Sequence, residues 1–218
     1  MLTATLPQAS GIGAVRVYPD KTPIYHQGDA VTRIFRVNSG VVMTFRLLED
    51  SRRQITGFCT EGEFFGMSSD GEHSDGAVTV TSAGVQSISI SALESDPELR
   101  RTLLDHSWRK VEDTQNLMMT LTKSSSEARV AAFLVMLAER RAKRRTEQTS
   151  ETIEVRLPMS RLDIADYLGL SRETVSRRLT DLQELGLIDL PDIHTACINK
   201  LNELRACAGT SAMRTVAA

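Results

Sequence analysis

From Glu98 to Ala142 the chain contains no proline and no glycine, whereas the stretch before Pro97 is broken at short intervals by turn-forming residues. So abrupt a change of texture excludes one uniform architecture: short elements must build the front, and long uninterrupted helix the middle. In the front, Ile34-Phe35-Arg36-Val37, Val41-Val42-Met43-Thr44-Phe45 and Val78-Thr79-Val80-Thr81 are runs rich in β-branched and aromatic residues. Gly28-Asp29, Asn38-Ser39-Gly40 and Asp70-Gly71 punctuate them, which predicts a barrel or β-roll of about eight short strands, running to about residue 93.

Within the helical stretch, Leu104, Trp108, Val111, Gln115 and Met118 recur at alternating steps of four and three, the spacing of a heptad seam. Such a seam packs either onto the β unit or against the same helix of a second subunit, and its spacing alone allows both. Lys123-Ser124-Ser125-Ser126-Glu127 reads as a hinge followed by an N-cap, Ser124 or Ser125 supplying the hydroxyl. A second helix follows through Val130, Phe133, Leu134 and Leu137. It ends in the basic cluster Arg140-Arg141-Ala142-Lys143-Arg144-Arg145, which suits either a phosphate contact or a solvated helix end that complements the helix dipole. The polar stretch from there to Thr152 is expected to be an exposed loop.

Ser160 is placed to cap a short helix, Arg161 to Leu168; Gly169 then supplies a tight turn and Ser171 caps the next helix. Two short helices joined in this way form either a helix-turn-helix or an ordinary helical hairpin. At roughly 100° per residue, Val175, Leu179 and Leu182 fall on one narrow apolar stripe, and Arg172, Glu173, Ser176 and Arg177 fill a separate arc. The chemistry of that arc matches base edges. Arginine donates a bidentate pair to guanine O6 and N7, a carboxylate accepts from the cytosine amino group, and serine serves either role. Glu173 and Arg177, one turn apart, are also spaced to hold each other in place.

The formal charge of −2 hides an asymmetry: residues 1–98 carry 7 Lys/Arg against 12 Asp/Glu, and residues 125–180 carry 11 against 8. The basic part is therefore the one that holds the candidate helix-turn-helix. No window is long and apolar enough to span a bilayer and the first fifteen residues lack a signal-peptide pattern, so a soluble, cytoplasmic protein without membrane contact is expected. Cys59, Cys197 and Cys207 form no CxxC pair, so they are expected to be reduced thiols with neither a disulfide framework nor a zinc site. An enzyme that used the β unit as a catalytic cup would need converging acids, bases or metal ligands, and the scattered histidines and separated acids offer no such motif.

Arg172-Glu173-Thr174-Val175-Ser176-Arg177, preceded by Asp163-Ile164-Ala165-Asp166-Tyr167-Leu168-Gly169-Leu170, resembles the CRP/FNR transcription regulators. Leu157-Pro158-Met159-Ser160-Arg161 is most similar to the FixK branch, and Glu127-Ala128-Arg129-Val130-Ala131-Ala132-Phe133-Leu134 to the start of the DNA-binding domain in FNR-type proteins. In the front half, Gln27-Gly28-Asp29, Val37-Asn38-Ser39-Gly40 and Gly62-Glu63-Phe64-Phe65-Gly66 resemble turns of the family's cyclic-nucleotide-binding β-roll. The resemblance covers nearly the whole chain, and the helix-turn-helix is its specific part. It implies an α+β fold with a β-roll over 1–97, a dimerisation helix over 98–123 carrying Leu104, Trp108, Val111, Gln115 and Met118, and a winged helix-turn-helix over 124–218.

The family further implies a homodimer whose two recognition helices enter successive major grooves about 34 Å apart, on double-stranded DNA carrying an inverted repeat. FNR-type members read DNA with Glu-x-x-Ser-Arg, met here by Glu173, Ser176 and Arg177, whereas CRP-type members have Arg-Glu-x-x-Gly-Arg, from which this chain keeps Arg172. The composite implies that Glu173 and Arg177 read a TGA core, that Ser176 favours a TTGA-N6-TCAA-like site, and that Arg172 adds a guanine or phosphate contact. Ser160, Ser171 and Thr174 are the expected phosphate contacts.

Members that bind cyclic nucleotides hold the phosphate with an Arg-Ser pair before an alanine; aligned on Ala77, those positions are Asp75 and Gly76, so no nucleotide is expected. Glu63, also part of the Gly-Glu pattern, is expected to be structural. Oxygen-sensing members use four cysteines for a [4Fe-4S] cluster, three near the N-terminus, and the first 58 residues have none. His26, His73 and His106 are the nominal axial ligands for a haem. The expectation is an activator without cofactor in low-oxygen or nitrogen-related gene control, which also contacts RNA polymerase through β-roll loops or the region 140–150. The alternative is a sensor gated by haem, nitric oxide or another small molecule.

Overall fold

A computed structural model describes residues 12–144 and 152–209. The chain divides into two compact units, Met1–Thr114 and Gln115–Ala218. In the first, eight strands form two antiparallel four-stranded sheets: β1 (Ile12–Tyr18), β8 (Ala83–Ser89), β3 (Arg33–Ser39) and β6 (Phe64–Phe65) in that order, and β2 (Pro23–Tyr25), β7 (Gly76–Thr79), β4 (Val42–Leu47) and β5 (Arg53–Cys59) in the other. Ile34 and Val37 of β3 are both buried although, three positions apart, they fall on opposite faces of the strand: Ile34 packs with Phe64, Ile88 and Ala92, and Val37 with Val42, Phe65, Ala77 and Val85. Gly40, at φ +80°, is required at its turn, because a Cβ there would lie 2.3 Å from the Ser82 carbonyl oxygen. The third sequence run ends earlier than expected: β7 stops at Thr79, whose hydroxyl donates to the Pro19 carbonyl at 2.6 Å, and Val80 bonds instead to the Val41 carbonyl.

After the one-and-a-half-turn helix α1 (Ile90–Ser95), α2 runs unbroken over Pro97–Leu121. One face packs on the β-roll, with Leu99 and Leu103 against Ile34, Phe64, Ile88 and Ala92. His106 is buried on the same face, its Nε2 3.0 Å from the Phe64 carbonyl oxygen. Leu104, Trp108, Val111, Gln115 and Met118 are exposed instead, Trp108 at 65% and Met118 at 61%. The heptad seam is thus not the face that seats α2 on the β-roll.

The second unit contains the end of α2, α3 (Ser126–Arg144), β9 (Ile153–Arg156), α4 (Arg161–Leu168), α5 (Arg172–Glu184), β10 (Ile188–Asp192), β11 (Thr195–Ile198) and α6 (Leu201–Cys207). Ser125 caps α3, accepting from the Ala128 amide at 3.0 Å. Val130, Phe133 and Leu134 of α3 are buried, and β10-β11-β9 form a three-stranded antiparallel sheet beside the helices. Arg145 and most of the expected loop before Thr152 lie outside the described residues, as does the N-terminal stretch read for a leader. No described helix is long and apolar enough to cross a membrane.

Burial pushes the imidazole pKa of both His73 and His106 below the ordinary histidine value. The unfolded chain therefore takes up protons near pH 6.5 that the fold resists, so the stabilisation is complete above that pH and declines as pH falls below it. Urea midpoints measured from pH 7.5 to 5.5 should drop with acidification, and His106→Gln should flatten that slope. An unchanged slope in both His106→Gln and His73→Gln would remove the two imidazoles as its cause.

Candidate nucleic-acid interface

The helix-turn-helix is built from local caps. Ser160 and Asp163 form a full capping box: the serine hydroxyl accepts from the Asp163 amide at 3.1 Å and donates to its carboxylate at 2.7 Å, and that carboxylate accepts from the Ser160 amide at 3.0 Å. Gly169 ends α4 in the left-handed region at φ 62°, ψ 43°, where a side chain is disfavoured. Ser171 caps α5 by accepting from the Thr174 amide at 3.1 Å, and its hydroxyl oxygen lies 2.9 Å from that of Thr174.

Val175, Leu179 and Leu182 are the buried residues of α5, which packs on α3, α4 and β10. Their burial fixes the rotation of the helix, and Arg172, Glu173, Ser176 and Arg177 are all exposed on the remaining arc. The expected brace between Glu173 and Arg177 is not formed. An ion pair within this helix joins Arg178 to Asp181 at 3.0 Å, and Glu173 and Arg177 have no protein partner among the described residues. Of the expected phosphate contacts, Ser160 has its hydroxyl proton committed to Asp163, while Ser171 and Thr174 share one hydrogen bond at the exposed start of α5.

Two arginines escaped the sequence reading. Arg129, on the first turn of α3, donates to main-chain carbonyls of the turn between α4 and α5, and Arg161, at the start of α4, has Nη1 buried without a hydrogen-bond partner among the described residues. Neither carries a periodic signal; only the tertiary fold brings them to their positions.

A Crp-like helix-turn-helix domain matches residues 128–207, and a cyclic nucleotide-binding domain matches residues 15–95. The chain is 38% identical over 197 residues to the nitrogen fixation regulation protein FixK of Rhizobium meliloti, across 90% of this chain and 88% of that protein. The chain belongs to the CRP/FNR family. This CRP/FNR protein is also 34% identical to the transcriptional activator protein FnrA of Stutzerimonas stutzeri, over 76% of the chain and 70% of that protein. Its fold superposes on FixK2 from Bradyrhizobium japonicum with a TM-score of 0.79 at 28% identity, covering 91% of this chain and 98% of the other. It is a DNA-binding transcription regulator, not an enzyme.

In the β-roll of this CRP/FNR regulator, the positions that resemblance assigns to a nucleotide's phosphate are Asp75 and Gly76. The Asp75 carboxylate accepts from the buried Tyr25 hydroxyl at 3.0 Å, and Tyr25 stacks on His73 with ring centroids 3.8 Å apart. Burial pushes the Asp75 carboxyl up and the Tyr25 phenol far up. At Gly76 a Cβ would lie 3.0 Å from Phe45 Cζ, so the ring occupies the space a serine side chain needs. A phosphate requires cationic or hydroxyl donors here, and these residues do not fit a cyclic nucleotide. Glu63 accepts from the Thr60 amide at 2.7 Å within its own turn. His26 faces Asp29 at 3.6 Å, and His73 and His106 are engaged as described.

Saturation at a hundred times the dissociation constant adds about 2.7 kcal/mol to stability. Cyclic AMP or cyclic GMP at millimolar concentration should leave the thermal unfolding midpoint unmoved; a rise of several degrees with either would show that the pocket rearranges to accept it.

Proposed function

We propose that this regulator acts as a homodimeric activator that reads a TTGA-N6-TCAA-like inverted repeat through α5, without nucleotide or iron–sulfur cofactor. The observation that carries this reading is the exposed set Arg172, Glu173, Ser176 and Arg177, whose side chains have no protein partner among the described residues, opposite the buried Val175-Leu179-Leu182 stripe. Glu173 and Arg177 read the TGA core, Ser176 favours the TTGA form, and Arg172 adds a guanine or phosphate contact. Ser171 and Thr174 set register on the backbone, and Ser160 joins them by exchanging its bond to Asp163 for one to phosphate.

The work divides among the β-roll over 1–97, the dimerisation helix over 98–123 and the DNA-binding domain over 124–218. Leu104, Trp108, Val111, Gln115 and Met118 form the seam between copies: an exposed apolar stripe of this extent on one helix matches a partner helix better than it matches water. The protein works in the cytoplasm on low-oxygen or nitrogen-related promoters and contacts RNA polymerase there.

Titrating the purified chain with a TTGA-N6-TCAA duplex and a scrambled duplex, with and without haem or a nitric oxide donor, tests the reading. Tight, selective binding by the unliganded protein is expected, and equal affinity for both duplexes would sink it. Arg177→Ala should cost about 1 to 3 kcal/mol on the specific site and relax preference at the core guanine; equal losses on specific and random DNA would reduce Arg177 to a phosphate contact. Met118→Lys should shift the sedimentation equilibrium toward monomer and weaken DNA binding with it, and an unchanged dimer would remove the seam.

A further inference from the structure

One side chain bridges the hinge after α2 and the turn of the helix-turn-helix by hydrogen bonds. Arg129 Nε donates to the Lys123 carbonyl at 3.0 Å, and its Nη1 donates to the Leu168 carbonyl at 3.3 Å and to the Gly169 carbonyl at 3.4 Å. Lys123 belongs to the hinge that follows α2, its amide bonded back to the Thr120 carbonyl. Leu168 and Gly169 are the last residue and the C-cap of α4, where the final carbonyls of a helix have no partner of their own and carry the negative end of its dipole. A planar guanidinium with its donors in a rigid fork fits both acceptors at once, which a flexible ammonium cannot do.

The close approach is local to this point. A Cβ on Gly169 would lie 3.8 Å both from Arg129 Nη1 and from Leu121 Cδ2, at the end of α2. One turn earlier the packing opens: Leu117, Thr120, Lys123, Phe133, Met136 and Tyr167 line a cavity of about 180 Å³ between the end of α2, α3 and α4. The apolar contact there is incomplete, so the polar fork carries a large share of the link. The core beneath it, with Val130, Leu134, Leu168 and Leu182 all fully buried, holds the second unit together without it.

We propose that Arg129 is a positioning residue for DNA recognition: by tying the end of α2 to the turn between α4 and α5, it sets the orientation of the recognition helix with respect to the helix that joins the two copies. This rests on the dimeric reading given above. A dimer whose recognition helices are fixed relative to its seam tolerates one half-site spacing only, and a dimer with a loosened link tolerates several.

The test uses the full chain, with duplexes carrying the two half-sites at the N6 spacing and at one base pair more or fewer, read by fluorescence anisotropy. Sedimentation and thermal unfolding are run beside it. Arg129→Met keeps the apolar stem and removes the fork; it is expected to remain a cooperatively unfolding dimer, to lose about tenfold in affinity for the N6 site, and to show a spacer penalty reduced at least about threefold. Arg129→Lys, with a single-point donor, is expected to fall between this variant and the wild type in spacer penalty. The proposal is overturned if Arg129→Met binds more weakly yet keeps the full wild-type spacer penalty. If Arg129→Met does not fold, retention of the full penalty by Arg129→Lys overturns it equally. A wild-type chain indifferent to spacing fails the dimeric reading itself, and the positioning role falls with it.

Discussion

The burial of Val175, Leu179 and Leu182 is the constraint on which the DNA-facing surface depends. A helix of thirteen residues presents side chains all round its axis, and only the choice of buried stripe decides which of them meet the outside. Fully burying each apolar side chain is worth roughly 1.5 to 3 kcal/mol, far more than the gain from any exposed polar contact on the same helix. Rotating α5 by one residue would expose that stripe and bury Arg172 or Ser176. The apolar side chains are therefore what turns Glu173 and Arg177 outward. Absence of an ion pair between those two belongs to the same logic, since a carboxylate already satisfied by a neighbouring guanidinium gains less from a base donor.

The same division of faces governs α2. Leu99, Leu103 and His106 seat the helix on the β-roll, and Leu104, Trp108, Val111 and Met118 are turned outward. A tryptophan two-thirds exposed leaves more apolar surface in water than a surface residue ordinarily does. On the proposed dimer, one continuous helix then binds its own β-roll along one side and its copy along the other, and Arg129 links the far end of that helix to the turn that launches α5.

What was legible in the sequence was local. Ser160, Ser171 and Gly169 act within a few residues of themselves, so spacing alone identified the caps and the turn, and the period of Val175, Leu179 and Leu182 identified the buried face. The short strands were legible because turns fall between them, although β7 ends where the Thr79 hydroxyl finds the Pro19 carbonyl, a contact across sixty positions that no local pattern announces. Arg129 was invisible for the same reason: its acceptors in the helix-turn-helix lie about forty residues away, and an arginine on a helical first turn carries no mark of them. The partner of Arg178 was missed through a competition of near neighbours, Asp181 lying one turn on from it while Glu173 and Arg177 stay apart.

The β-roll has the strands of a cyclic nucleotide-binding domain but not the side chains a phosphate needs. Ala77 remains at the centre of the sheet, paired with Thr44 on one side and with Tyr25 on the other. The residues around it make internal contacts: Asp75 is held by Tyr25, Tyr25 lies flat on His73, and Phe45 covers Gly76. A half-buried carboxylate is costly when unpartnered, so the Tyr25 hydroxyl stabilises the arrangement by its contact with Asp75. A cation–hydroxyl pair could not be restored by one substitution, because an arginine at 75 would strand Tyr25 and a serine at 76 would meet Phe45. The misfit to a cyclic phosphate thus rests on two separate features, the linked Asp75, Tyr25 and His73 side chains and the Phe45 ring over Gly76.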